Sequence, residues 1–165
     1  MHRNLFFLGL LLVAGCVTAP PQHFSRPANL FPADALMIQR AVLTVHGRQF
    51  TLNGYFAVSK AGGRRLIVTE NFGAVLADVL VKPDGKIYVM RSSRLFRPEW
   101  ISRYVAADLE CIFGDTSHAN CPEKFLSPTH FVMEHRGYTL DLQIVEIKPG
   151  PQPPELFDET KRGSP

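Results

Sequence analysis

The chain has 165 residues, of which 45% are hydrophobic, and this is typical of one folded domain rather than of a disordered chain. Its 18 Lys and Arg residues slightly outnumber its 15 Asp and Glu residues, which gives a formal net charge of +3. This small excess is spread along the sequence and does not form the basic patch that nucleic-acid-binding proteins need. We therefore expect no nucleic-acid partner.

The sequence opens with an apolar segment. Leu5 to Val13 consists almost entirely of Leu, Phe and Val, and the basic Arg3 precedes it. The segment is too short to cross a bilayer as a helix, and a basic flank with small residues at the exit is typical of a secretory signal. The alternative is a buried helix that begins a globular domain, but proline-rich sequence follows instead.

The end of this segment, Leu12-Val13-Ala14-Gly15-Cys16, resembles the lipobox of bacterial lipoproteins. The resemblance implies that residues 1–15 are a signal peptide. It also implies that Cys16 becomes the first mature residue and carries acyl chains, palmitate among them, as a stable membrane anchor. Residue 17 is Val rather than Asp, which in such lipoproteins favours the outer membrane over inner-membrane retention. The implied location is the outer membrane, with the domain facing the periplasm.

Proline content divides the rest of the chain. Residues 16–34 are proline-rich and show no periodicity, so we predict that they form a tether behind the lipidated residue. Residues 148–165 are also proline-rich and are predicted to be a flexible tail, whose apolar residues are Leu156 and Phe157. Residues 35–147 remain as a single globular domain.

Two further cysteines, Cys111 and Cys121, are separated by a short segment that contains turn-forming residues. If Cys16 is acylated, these two remain to pair, and the cell envelope permits disulfides. We therefore predict a disulfide between Cys111 and Cys121. The alternative is a metal site that includes His118 from the same segment, but the spacing matches no zinc pattern. We expect no metal and no other cofactor.

Alternating apolar and polar residues predict β-strands over the first part of the domain. The clearest case is residues 49–59, where every second residue from Phe50 to Val58 shares one face. Asn53-Gly54 is a strong hairpin signal. We prefer a turn at His46-Gly47, with Gly54 as a kink in one long strand, because this keeps the alternation unbroken. Four more strands are predicted at residues 37–46, 65–70, 74–81 and 86–91.

A helix is predicted after Arg97, because Pro98 and Glu99 are favourable in its first turn. Apolar residues then recur at helical spacing until Gly114 ends the helix. Two last strands follow at residues 129–134 and 138–147. The predicted fold is α+β, a curved antiparallel sheet of about seven strands with one long helix packed on its concave face.

A lipid-anchored, curved sheet covered by a helix is similar to the periplasmic lipoprotein carrier and receptor group, the LolA/LolB-like half-barrels. The likeness rests on this architecture and on Cys16. It implies that an apolar ligand binds between helix and sheet. The residues that would line this gap, and that otherwise form an ordinary filled core, are Phe50, Phe56, Val79, Trp100, Tyr104 and Phe113.

The titratable residues give no enzymatic signature. His130 and Glu134 share one face of a predicted strand and lie beside His135, which is a candidate site but is typical of a solvated face. No serine lies in a nucleophile motif such as Gly-x-Ser-x-Gly. The glycine-rich residues 61–65 precede a strand rather than the helix that a phosphate site needs. We expect no catalytic residues.

The leading hypothesis is a non-catalytic, membrane-anchored lipoprotein that binds a lipid, a lipoprotein or another amphiphile in cell-envelope trafficking or maintenance. The alternative is a structural or assembly adaptor with a filled core, which recruits an envelope protein partner through its strand edges or its tail. A hydrolase is a third candidate. A cavity above roughly 300 Å³ would favour ligand binding, and a filled core would favour the adaptor.

Overall fold

A computed structural model describes residues 31–113, Cys121 and residues 123–160. The predicted signal peptide, Cys16, most of the predicted tether and His118 lie outside the described residues. The described residues adopt an α+β fold with one open, eight-stranded antiparallel sheet and one helix.

The sheet consists of two antiparallel meanders that join side by side. The strand order is β5-β4-β3-β2-β1-β8-β7-β6, so β1 pairs with both β2 and β8, while β5 and β6 are the edges. The strands are β1 Ala35–Val45, β2 Arg48–Val58, β3 Arg64–Glu70, β4 Val75–Val81, β5 Ile87–Ser92, β6 Glu123–Ser127, β7 His130–His135 and β8 Tyr138–Pro149.

The prediction of about seven strands was one short, because β6 was missed. β6 has only five residues, and Phe125 and Leu126 are its only apolar residues. Two adjacent apolar residues cannot establish a period of two, so alternation gave no signal. The strand forms because it pairs with β7, where Phe125 lies opposite Phe131.

The hairpin between β1 and β2 turns at His46-Gly47, which confirms the preferred interpretation. Both residues have positive φ, 48° and 78°, as a type I′ turn requires, and Val45 pairs directly with Arg48. β2 continues without a register shift through Gly54, which lies opposite Gln39. A Cβ at Gly54 would lie 3.1 Å from the Gln39 side-chain oxygen, so the glycine makes room for that side chain.

The helix, α1, runs from Pro98 to Phe113 in three consecutive parts. An α-helical turn, Pro98–Trp100, leads into a π-helical turn, Ile101–Val105, and then into the α-helical Ala106–Phe113. In the π-helical turn the Ala106 amide donates to the Ile101 carbonyl. This wider turn rotates Trp100 relative to the residues that follow, which a regular helical spacing does not predict.

The core lies between α1 and one face of the sheet, which we call the inner face. The helix buries Ile101, Leu109 and Ile112 against inner-face residues that include Met37 and Phe56. The sulfur atoms of Cys111 and Cys121 lie 2.06 Å apart, which confirms the predicted pairing at the end of the helix.

The opposite, outer face of the sheet contacts the C-terminal segment. β8 extends past Ile147 to Pro149, and a 3₁₀ turn follows at Pro154–Phe157. The Arg65 guanidinium donates to the Leu156 carbonyl at 2.8 Å and forms a two-point ion pair with Asp78. Leu156 and the residues beside it therefore dock on β3 and β4.

Candidate functional site

A groove opens at the end of the sheet where β1 turns into β2, and its volume is about 790 Å³. One wall is the β1–β2 hairpin, and the other is the segment that leads into α1. We call this cavity the end groove. Its lining residues are Leu43, Val45, His46, Arg48, Phe50, Leu95, Phe96, Arg97 and Trp100.

The hairpin wall follows from strand alternation. Leu43 pairs directly with Phe50, and Val45 pairs directly with Arg48, so all four side chains lie on the same face of the two strands. The two-residue turn fixes this register, because a slip by one residue would move every one of them to the outer face. The hairpin thus places the apolar pair of Leu43 and Phe50 deeper in the groove. The pair of Val45 and Arg48, which carries a positive charge, lies at its mouth.

The second wall is built around Phe96. Its backbone amide donates to the Ser93 hydroxyl at 3.3 Å, which holds the turn before the helix. The Phe96 ring is buried and meets Trp100 edge-to-face, with ring centroids 5.4 Å apart. Trp100 is half-buried, so part of its ring is available to the groove.

Polarity changes with depth along the groove. Leu43 and Phe96 are buried at its floor, while the two arginines, Arg48 and Arg97, are exposed at its mouth. Neither guanidinium has a carboxylate partner within the part of the chain that the structure describes. The lining contains no acidic residue. The groove therefore combines an apolar floor with a positively charged rim.

A second, smaller cavity of about 70 Å³ lies deeper, between α1 and the inner face. Leu43, Phe96 and Trp100 line both this inner cavity and the end groove. Gln39 also lines it and is 3% exposed, and its Nε2 has no hydrogen-bond partner among the described residues. A space of this size holds water-sized molecules rather than an acyl chain.

The structure brings together only some of the six residues that the sequence suggested for ligand binding. Phe50 and Trp100 both line the end groove. Phe113 lines the inner cavity and stacks on the fully buried Phe56, with ring centroids 4.1 Å apart. Val79 is fully buried in the core. The sequence reasoning missed Leu95 to Arg97, which lie in a connection without periodicity.

Tyr104 belongs to an aromatic cluster under the helix. Its ring centroid lies 5.6 Å from that of Trp100 and 5.8 Å from that of Tyr138. Tyr138 in turn stacks on His135 at 4.5 Å. The rings of Tyr104 and Tyr138 therefore both lie against the indole of Trp100.

A buried polar group, also absent from the sequence expectations, completes this cluster. Asp108 is 5% exposed and accepts hydrogen bonds from His135 Nε2 at 2.8 Å and from the Tyr138 hydroxyl at 2.9 Å. Burial raises the pKa of the Asp108 carboxyl, although the hydrogen bonds from Tyr138 and His135 oppose the shift. Burial and the neighbouring carboxylate also raise the pKa of Tyr138.

The candidate site of His130, Glu134 and His135 is divided between the two faces of β7. His130 pairs with Asp141 at 2.7 Å, and Glu134 pairs with Lys124 at 2.7 Å, both as exposed contacts. His135 points to the opposite, inner face and binds Asp108. Within the described hydrogen bonds, no serine, threonine or cysteine is a partner of His135, so this group lacks the nucleophile of a hydrolytic triad.

Comparison with known proteins does not assign the chain to a family. No protein-family model matches the chain, and no curated protein matches it. Over residues 31–113, 121 and 123–160, no helix has the length and apolar character needed to cross a membrane. The same residues contain no group of three or more His, Cys, Asp or Glu side chains placed to hold a metal ion.

Proposed function

We propose that this protein is a non-catalytic, lipid-anchored binding module that shelters the apolar part of an amphiphile in the end groove. The observation that carries the proposal is the volume of about 790 Å³ above an apolar floor. Ligand sites in proteins commonly occupy about 300–1,000 Å³ and are lined mostly by apolar and aromatic side chains. Burial contributes about 0.8 kcal/mol per methylene, and micromolar affinity requires about 8 kcal/mol beyond an association cost of at least about 4 kcal/mol. The groove would therefore have to bury about fifteen methylenes.

The proposal places the ligand at the helix N-terminus rather than along the helix. The inner cavity between α1 and the inner face has a volume of only about 70 Å³. A chain that enters the end groove would meet Leu43, Phe96 and Trp100 at its floor. These three side chains would have to move for a ligand to go deeper.

The cellular setting is part of the same proposal. Cys16 carries the acyl anchor, the protein is held at the outer membrane, and the domain works in the periplasm. The open sheet with one helix on its inner face supports the likeness to the half-barrel carriers and receptors. Register shifts in the β1–β8, β3–β4 and β4–β5 pairs support a curved sheet, since bulges bend strands.

The first test uses Trp100, the single tryptophan of the chain, as a reporter. Protein lacking residues 1–16 is titrated with a long-chain fatty acid, and we expect a shift or quenching of its emission with micromolar affinity. Val45→Phe should fill the groove and weaken binding by about tenfold, the effect of losing roughly two buried methylenes. Val42→Phe is the matched control, because Val42 is exposed and lies on the outer face of the same strand.

The second candidate is a structural or assembly adaptor. The small volume of the inner cavity favours it, as do the edge strands β5 and β6, which have no further strand partner among the described residues and could pair with another protein. The experiments separate the two candidates. Native mass spectrometry that finds only bare protein, together with no Trp100 response to fatty acid, would favour the adaptor and reject ligand binding.

A further inference from the structure

We infer that the end groove selects amphiphiles with an anionic head group, which Arg48 and Arg97 bind at the mouth. This inference rests on the proposed function and adds the ligand's chemical class. One arginine comes from each wall, Arg48 from the hairpin and Arg97 from the residue before the helix. A carboxylate or phosphate between them can accept charge-assisted hydrogen bonds from both guanidinium groups.

The polarity gradient of the groove matches that of a single-chain, negatively charged amphiphile. Its apolar tail would lie on Leu43, Phe50 and Trp100, and its head would remain at the solvent-exposed rim. His46 is also exposed at this rim and adds no negative charge. A cationic head group would meet two like charges there, and a neutral one would gain no ionic contact.

The two arginines that line the groove have no ion pair within the described residues that a ligand would have to break. Some cations of the described chain are paired, as Arg65 is with Asp78 and Lys124 with Glu134, but other exposed arginines, such as Arg40 and Arg136, have no carboxylate partner either. Position in the groove lining is what distinguishes Arg48 and Arg97. Across the described residues, Arg48 and Arg97 have no such partner, so a ligand anion does not have to displace an internal one. Both are exposed and lie outside the core, so replacing them leaves the packing intact.

The test is photo-crosslinking on the full chain, held in nanodiscs of neutral phosphatidylcholine. Four probes share one diazirine-bearing alkyl chain and differ in the head group: carboxylate, phosphate monoester, alcohol and amine. We expect groove peptides to be labelled by the two anionic probes about tenfold more than by the alcohol, and least by the amine, as two partly exposed ion pairs allow. The carboxylate and phosphate arms show which anion is preferred.

Arg48→Gln/Arg97→Gln should reduce the labelling ratio of carboxylate to alcohol to about one. Arg40→Gln/Arg136→Gln is the control with the same net charge, because both of these arginines are exposed and neither lines the groove. Equal labelling by all four probes in the unmodified chain would overturn the head-group inference alone. No groove labelling by any probe would overturn the proposed function as well.

Discussion

Asp108 is a buried acidic residue of the helix. It falls between Tyr104 and Ile112 at intervals of four, so a carboxylate lies within the apolar stripe of the helix. His135 follows Phe131 and Met133 at intervals of two, which predicts the inner face of β7. Together these patterns could have indicated that both residues face the core between helix and sheet. The pairing itself could not be read from sequence, because it depends on where the helix crosses the sheet.

The pH dependence of stability tests the burial of Asp108. Burial raises the pKa of its carboxyl above the ordinary value of 3.8, so the folded state holds this proton more tightly than the unfolded state does. As the pH rises from 3.8 towards the folded-state pKa, the unfolded state releases its proton first, and the free energy of unfolding falls. The difference in unfolding free energy, wild type minus Asp108→Asn, should therefore decrease over this interval in urea titrations.

Asp84 provides a control of opposite sign. Hydrogen bonds from the Lys86 side chain and backbone lower the pKa of Asp84, so its contribution to stability is lost as the pH falls. The difference between wild type and Asp84→Asn should accordingly increase as the pH rises. If the Asp108 difference also increased with pH, the carboxyl would be stabilised in its charged form and its assignment as a desolvated acid would be wrong.

Among the elements, those with long periodic patterns were predictable, and those made by short or irregular segments were not. β2 and the helix have enough alternating or helically spaced apolar residues to define their faces. β6 is too short to do so and depends on pairing with β7. The end groove was predictable only through Phe50 and Trp100, which lie in such elements. Its other wall, around Leu95 to Arg97, is positioned by tertiary contacts alone.

The Cys111–Cys121 disulfide should stabilise the end of the helix. Cys111 lies in the last turn of α1, and the bond closes a loop with a sequence separation of 10. In the chain-entropy account, removing a disulfide that closes a loop of this length lowers the free energy of unfolding by about 2–3 kcal/mol. Thermal unfolding of Cys111→Ser/Cys121→Ser should show this loss at every pH.

Reduction separates the effect of the bond from that of the substitutions. A reducing agent should lower the melting temperature of the unmodified protein to about that of the double variant and should leave the variant unchanged. Free thiols at both positions in the native, unreduced protein would contradict the pairing and reopen a metal-binding interpretation.

On the scale of the whole molecule, the end groove and the start of the described chain lie at opposite ends of β1. Phe31 packs on Phe113 near the beginning of the strand, with ring centroids 5.0 Å apart. The 11 residues of β1 then carry the chain over about 35 Å to the turn beside the groove. From Cys16 to Phe31 the chain can extend at most about 50 Å. A membrane anchor at Cys16 therefore permits the groove to face either the periplasm or the bilayer surface.

The anchor itself is the remaining prediction, and it depends on the lipobox-like residues Leu12 to Cys16. In the proposed lipoprotein, Cys16 supplies the thiol that is lipidated first, so Cys16→Ser should leave an unprocessed precursor that incorporates no labelled palmitate in cells. Cys111→Ser/Cys121→Ser is the matched control, since it removes the other two cysteines and should still be processed and labelled. The comparison is made by acyl labelling and by the mass of the mature chain. Normal processing or labelling of Cys16→Ser would exclude lipidation at this residue and would remove the basis for placing the protein at a membrane.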